Sequence, residues 1–423
     1  MQLNSVAQPA QVLERIKIPF QSFFKRYFNT NSLIVAILFS LPIYMSIFGE
    51  NFLIKSLNSI IAILAFYYFL NVKHSFFQTG FFIGIFWFWW VGLSFRYYNL
   101  SLIIPFVILF LGIGYGIIFW IIDKLFKCIR LSRYFWAVFL IFGFDYIKPF
   151  TFDWLKPEVL LTNPFFAPFK ITLFLIIVFS LFVKKNKLFI LILIPALFIK
   201  APNIQPAPLK IKLVSTYIPQ DKKWDKKYIP IQIQNNFAYI QNAIKEHYDV
   251  VVLPESAFPI FLNLYPEIIQ KLKNLSKKIT IVTGALHLKN KKYYNSTYIF
   301  ENENMKILDK HVLVPFGEYI PLPFFQKEIN EIFFNGASDY LTSDSFGIFS
   351  IKNIKFINAI CYEATLEELY KLKPKYIIAL SNDAWFIPSI QPILQKLLIK
   401  VYAKKYHKCV YHSINGYKSY VIR

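Results

Sequence analysis

Three side chains far apart in the sequence have the types needed for nucleophilic chemistry: Cys361, Glu255 and Lys310. Cys361 lies in Lys355-Phe-Ile-Asn-Ala-Ile-Cys361-Tyr-Glu-Ala-Thr-Leu-Glu-Glu-Leu369. Phe356, Ile357, Ala359 and Ile360 read as a short buried strand. From Glu363 the residues are good helix formers, with acids in the first turn and Leu366 and Leu369 three apart. The cysteine is therefore expected at a strand-to-helix elbow, where the positive end of a helix favours a thiolate. The same stretch also fits a buried structural cysteine.

A nucleophilic cysteine needs a base for its proton and a donor where charge develops on the substrate oxygen. Histidine is the usual base. His247 ends a helical pattern, and His287 and His407 stand among lysines, which leaves His311 and His412 as candidates. A carboxylate serves equally if apolar surroundings raise its pKa. Glu255, in Asp249-Val-Val-Val-Leu-Pro-Glu255 ahead of Ser256-Ala-Phe-Pro259, is placed for that at a strand end. Lys310 is a charge between apolar runs, in Ile307-Leu-Asp-Lys310-His-Val-Leu-Val-Pro-Phe-Gly-Glu318. Taken singly, a strand-end glutamate and a solvated lysine are ordinary features.

These residues require a scaffold. Residues 210–423 alternate strand-like and helix-like segments, which argues an α/β layered fold. Strands are expected at 210–216, 249–255, 278–284, 293–301, 306–308, 376–380 and 409–413, and helices near 230–247 and 389–406. Glu255, Cys361 and Asn382-Asp383 all fall at carboxyl ends of strands, where ligands bind in such folds.

The preceding half of the chain has a different character. Of 423 residues, 56% are hydrophobic and 19% aromatic, and the mean hydropathy of +0.43 excludes an ordinary soluble protein. Seven hydrophobic spans are expected, near 32–48, 56–71, 78–95, 101–122, 134–148, 170–183 and 187–200. The Pro-rich stretch Ala201-Pro-Asn-Ile-Gln-Pro-Ala-Pro208 cannot continue a helix. The expected divisions are a cytoplasmic segment 1–30, a membrane domain 31–200, a linker 201–209 and a catalytic domain 210–423. Arg15, Lys17, Lys25 and Arg26 precede the first span; Lys124, Lys127, Arg130 and Arg133 separate the fourth and fifth; Lys184, Lys185 and Lys187 separate the sixth and seventh. The positive-inside rule then places the N-terminus in the cytoplasm and residues 201–423 outside. Within the third span, Gly80 and Gly84 suit helix packing, and the aromatic run ending at Arg96 suits an interfacial belt. The loop 149–169 fits either an interfacial arm or a connector.

A net charge of +23 suits anionic lipid head groups. Without a nucleic-acid-binding motif it does not indicate a nucleic-acid partner. The three cysteines make no disulfide framework, since Cys128 falls in a membrane loop away from Cys361 and Cys409.

Jointly, Leu-Pro-Glu255-Ser, Lys310 followed by Leu-Val-Pro-Phe-Gly-Glu318, and Ile-Cys361-Tyr-Glu363 resemble the Glu–Lys–Cys triad of the nitrilase, or carbon–nitrogen hydrolase, superfamily. The membrane region in front and Ser381-Asn-Asp-Ala-Trp-Phe386 behind are similar to one branch, the bacterial apolipoprotein N-acyltransferases. The resemblance is strong over 210–390 and looser before it. It implies a multi-span helical membrane domain followed by a nitrilase-like αββα sandwich, in the bacterial inner membrane with the catalytic domain periplasmic. It also implies a reaction. Cys361 would take an acyl chain from a phospholipid as a thioester, and the α-amino group of an apolipoprotein's diacylglyceryl-cysteine would receive it. In this family reading Glu255 is the general base and Lys310 the oxyanion donor. Glu318, Tyr362, Glu363, Asn382 and Trp385 support the site, and Trp224 lies in a lid-like loop. No cofactor or metal is implied. Ile387-Pro388 replaces the family's usual Gly, Lys396 stands where a His is usual, and the chain reads as short at its C-terminal edge. A membrane-tethered amidase and a non-catalytic lipoprotein-binding protein remain as alternatives.

Overall fold

The structure is a computed structural model that describes residues 28–128, 132–149, 152–315, 317–319 and 340–423. Most of the expected cytoplasmic segment, with Arg15, Lys17, Lys25 and Arg26, lies outside the described residues, as does Arg130.

Four helices are long and apolar enough to cross a bilayer, at Thr30–Phe48, Phe52–Asn71, Phe76–Tyr98 and Ser101–Lys127. Shorter apolar helices occupy Ser132–Phe142, Lys170–Phe182 and Lys187–Phe198. Asn29, Asn51 and Ser75 cap the first three long helices, each side chain accepting from a backbone N–H in the first turn. Gly80 and Gly84 face the fourth: a Cβ there would come within 2.5 Å of Tyr115 O and 3.0 Å of Leu111 O. Helix packing is thus the work of these glycines.

The α/β domain is two six-stranded sheets packed face to face. In the first, β1 (Ile211–Leu213), β3 (Val250–Val252) and β5 (Thr280–Lys289) are parallel. Two antiparallel strands follow, β6 (Lys292–Glu301) and β7 (Asn304–Asp309), and β4 (Phe258–Phe261) pairs with β5 on the side. In the second, β2 (Ser215–Thr216), β11 (Cys409–Asn415), β10 (Tyr376–Asn382) and β9 (Ile354–Ile360) are parallel. Its antiparallel members are β8 (Ile348–Ile351), beside β9, and β12 (Tyr420–Ile422), beside β11.

Val250, Val252, Val282, Phe349, Phe356, Ile378, Leu380 and Tyr411 fill the space between the sheets. The outer face of the first sheet is covered by the helices Ile229–Lys245 and Pro266–Leu275. The outer face of the second packs on the helix Gln391–Lys405 and shares one apolar core with the membrane helices. This is the expected αββα sandwich, joined directly to the membrane part.

The strand read over 210–216 is two, because the chain crosses from one sheet to the other at Val214. The short strands β4, β8 and β12 carry no periodic signal of their own.

Candidate active site

The parallel strands set the site. β9 pairs with β10 up to Ile360 opposite Leu380, and Cys361 is the next residue. β3 ends at Val252, three residues before Glu255. Both carboxyl ends open the same way, and Cys361 and Glu255 stand on the turns that leave them.

Cys361 turns with φ of +54°, a left-handed conformation that a side chain rarely adopts and that pushes the thiol out of the strand line. The expected helix does not follow directly. A five-residue 3-10 turn, Cys361–Thr365, precedes a helix of only four residues, Glu367–Tyr370. No long helix dipole therefore points at the sulfur, and the expectation of a thiolate favoured by such a dipole fails. Burial first, and then the Glu255 carboxylate, push the Cys361 thiol well above its ordinary value, against the pull of Lys310. The resting thiol holds its proton, so attack requires a base.

Glu255 sits on an equally tight turn, with Ser256 at φ +47°. Strand β5 comes so close that a Cβ on Gly284 would lie 2.4 Å from Ser256 N and 2.7 Å from the Glu255 Cα. Only glycine leaves room there, and nothing in a lone Gly284 signals this in the sequence.

One amide gathers the charged groups. Asn295 Nδ2, on β6, donates to Glu255 Oε1 at 2.7 Å and to Glu318 Oε1 at 3.0 Å. Lys310 Nζ donates to Glu318 Oε2 at 2.6 Å, and that oxygen also accepts from Val314 N at 2.9 Å. Lys310 N in turn donates to Asn295 O at 2.9 Å. Glu363 ties this group to the cysteine turn: its Oε1 accepts from His311 N and Val312 N at 2.6 and 3.0 Å, and its Oε2 from Ile360 N at 2.7 Å. Asn295, one polar residue of the strand Lys292–Glu301, carries no local sequence signal of this role.

The electrostatics follow from burial. Lys310 has no exposure (0%). Burial alone would pull its ammonium down, but Glu318, Glu255, Cys361 and Glu363 outweigh it and hold Lys310 above the usual lysine range. Burial raises Glu255, assisted by Glu318 and opposed by Lys310, the Asn295 bond and Lys223. Burial likewise raises Glu363 against Lys310 and the three N–H donors. Asp383 is pushed up to about 8 by burial, with its Gln391 bond pulling the other way.

His412 is held between Ser381 Oγ at 2.7 Å and Tyr420 OH at 2.9 Å, and burial lowers it to about 3. His311 meets the Ser343 carbonyl at 2.7 Å. Neither candidate histidine is engaged with Glu255 or Lys310.

The remaining expected residues frame this centre. Asn382 Nδ2 donates to Gln220 Oε1 at 2.8 Å and Asn382 Oδ1 accepts from Asn415 Nδ2 at 2.7 Å. Tyr362 is buried and stacks on Phe152 of the membrane-side loop. Trp224 is partly exposed, just past the one-turn helix Gln220–Lys223. Trp385 stacks on Tyr98 at the end of the third long helix, and Tyr97 OH donates to Ala384 O at 3.1 Å. Arg96 donates to the Ile387 and Trp385 carbonyls. The aromatic end of that helix therefore docks on the rim of the site and is more than an interfacial belt. The loop 152–169 is largely buried, with Trp154 Nε1 donating to Thr365 Oγ1 at 2.9 Å.

Fold and site together define a membrane-embedded protein of the carbon–nitrogen hydrolase class. Residues 215–412 match the carbon–nitrogen hydrolase family, and residues 26–202 match the apolipoprotein N-acyltransferase integral membrane domain. The apolipoprotein N-acyltransferase of Wolinella succinogenes is 38% identical over 396 residues, 92% of this chain and 94% of the relative. That of Campylobacter jejuni is 37% identical over 424 residues, with 96% and 93% covered. That of Helicobacter pylori is 34% identical over 417 residues, with 93% and 96% covered. The chain belongs to the apolipoprotein N-acyltransferase family and is an acyltransferase.

Proposed function

We propose that this acyltransferase moves an acyl chain from a phospholipid to the α-amino group of the N-terminal diacylglyceryl-cysteine of apolipoproteins, in two half-reactions through Cys361. In the first, the Cys361 sulfur attacks the ester carbonyl while Glu255 takes the thiol proton. The S–C bond forms, the ester C–O bond breaks, and the proton passes to the departing lysophospholipid. In the second, the amine attacks the thioester, the N–C bond forms and the C–S bond breaks, with Glu255 accepting the amine proton and the thiol restored. Lys310 carries the fixed charge facing both oxyanions. The observation that supports this reading best is the chain Glu255–Asn295–Glu318–Lys310, tied to the Cys361 turn by Glu363.

Mass spectrometry tests it. Protein incubated with phospholipid should carry one acyl group on Cys361, discharged by a diacylglyceryl-cysteine peptide to give the N-acyl product. Discharge by water at the same rate without the peptide would favour the amidase reading. Peptide acylation with Cys361 never modified would sink the thioester.

The site must face exported substrates, so the same proposal places residues 201–423 on the periplasmic side of the inner membrane. The bases Lys124 and Lys127, in the last turn of the fourth long helix, and Arg133, near the start of the next, support a cytoplasmic position for these helix ends. A reporter fused after Lys200 should be active only as an exported protein, and one within 123–133 only as a cytoplasmic one. Cytoplasmic activity after Lys200 would reverse the orientation.

A further inference from the structure

The Lys223 side chain is fully buried, and among the described residues its ammonium has no hydrogen-bonding partner. Lys223 closes the helix Gln220–Lys223. A buried cation in that state is costly, so lysine is not a neutral choice of side chain here.

Its position is held from two sides. Gln220, in the same turn, accepts from Asn382 at 2.8 Å, and Asn382 accepts from Asn415 at 2.7 Å. Gln232 Nε2 donates to the Lys223 carbonyl at 3.0 Å, and one turn on Asn236 Nδ2 donates to Ala257 O at 2.7 Å. A single helix, Ile229–Lys245, thus fixes both Lys223 and the turn that carries Glu255. The strands agree: Leu213 pairs with Val252 and Val214 N donates to Val252 O at 2.9 Å. The two chains leave the sheets side by side, one towards Lys223 and the other to Glu255.

The charge balance of the site gives this position a use. Lys310 is engaged with Glu318 at 2.6 Å, while Glu255 is held by the neutral Asn295 amide. The buried Glu255 and the half-buried Glu318 therefore share one ammonium, on which the buried Glu363 also draws, unless a second cation stands near.

We infer that Lys223 is that cation, a positioning residue that keeps Glu255 ionised and ready to take the Cys361 proton at neutral pH. The inference rests on Glu255 being the base. The charges bearing most on Glu255 are Lys310, Glu318 and Lys223, and Glu255 acts in turn on Cys361, Tyr340 and Asp383. Burial brings the Lys223 ammonium down to about 8, and Glu255 is the charge that acts against that fall.

Full-length protein in mixed micelles with phospholipid and a diacylglyceryl-cysteine peptide provides the test, as initial acylation rate against pH. Removing a cation raises the pKa of the carboxyl it faces. Lys223→Met should therefore move the acid limb up by about one pH unit, with the plateau at higher pH within about threefold of wild type. Lys223→Arg, which keeps the charge, should bring the limb back towards its original position. An unmoved limb in Lys223→Met, whatever the plateau, overturns the inference. If Lys223→Met fails to accumulate, Lys223→Gln removes the same charge with a shorter polar side chain and is read the same way. Glu255→Gln, run alongside, separates the two ideas. If it is inactive while the Lys223→Met limb stays put, Lys223 is structural and the base stands. If it retains wild-type turnover, the base itself is wrong.

Discussion

Cys361→Ser should insert and fold as the wild type does and lose acyl transfer by about four orders of magnitude or more, as removal of a catalytic nucleophile does elsewhere. Serine can adopt the +54° backbone angle that the site requires, at a cost no different in kind from that of cysteine. What it lacks is acidity. Even the thiol is pushed up by burial and by Glu255, and a hydroxyl starts several units higher. Glu255 would then have to remove a proton far beyond its reach. The measurement is acylation of a diacylglyceryl-cysteine peptide, together with thermal unfolding to show the fold intact. Turnover near the wild-type rate in this variant removes Cys361 from the reaction.

The sequence made Cys361, Glu255 and Lys310 legible because each sits beside an apolar run that forms a strand, and a strand end can be read from period and composition. It also made the layered fold legible, since long buried strands such as Ile354–Ile360 and Tyr376–Asn382 carry a strong signal. Features that depend on tertiary approach were not readable. Gly284 matters because another turn passes within 2.4 Å of where its Cβ would be, and Asn295 because two carboxylates converge on it. Local sequence carries neither fact. The elbow after Cys361 shows the opposite failure. Ala364, Leu366, Glu367, Glu368 and Leu369 are helix formers by propensity, yet tertiary contacts prevail: Glu363 bonds back to Ile360 N, and Thr365 is held by Trp154. The turn stays 3-10, and no long helix dipole reaches Cys361. Arg96 was legible as the end of an aromatic run, but its acceptors, the Ile387 and Trp385 carbonyls, lie nearly 300 residues away along the chain.

Lys310→Met should slow formation of the acyl-enzyme by about two to three orders of magnitude while leaving phospholipid binding close to wild type. The first figure is what a principal oxyanion donor is worth; the second follows because the oxyanion exists only once the sulfur has attacked. The structure adds a structural cost. Lys310 is also the buried partner of Glu318, and breaking such a pair leaves a carboxylate facing Glu255 without its ammonium, at about 3–5 kcal/mol for a fully buried case. Glu318 keeps its bonds from Asn295 and Val314, so the loss should fall at the low end and show as a lowered melting temperature. The two effects separate in single-turnover thioester formation at a temperature where the variant is folded. There the rate constant should fall, and the lipid concentration giving half the maximal rate should not change. The pH dependence of Cys361 alkylation gives an independent reading. Lys310 pulls the thiol pKa down while burial and Glu255 push it up, so removing the ammonium should move the alkylation profile to higher pH. A Lys310→Met protein that acylates at the wild-type rate, with its alkylation profile unmoved, would reduce Lys310 to the structural partner of Glu318.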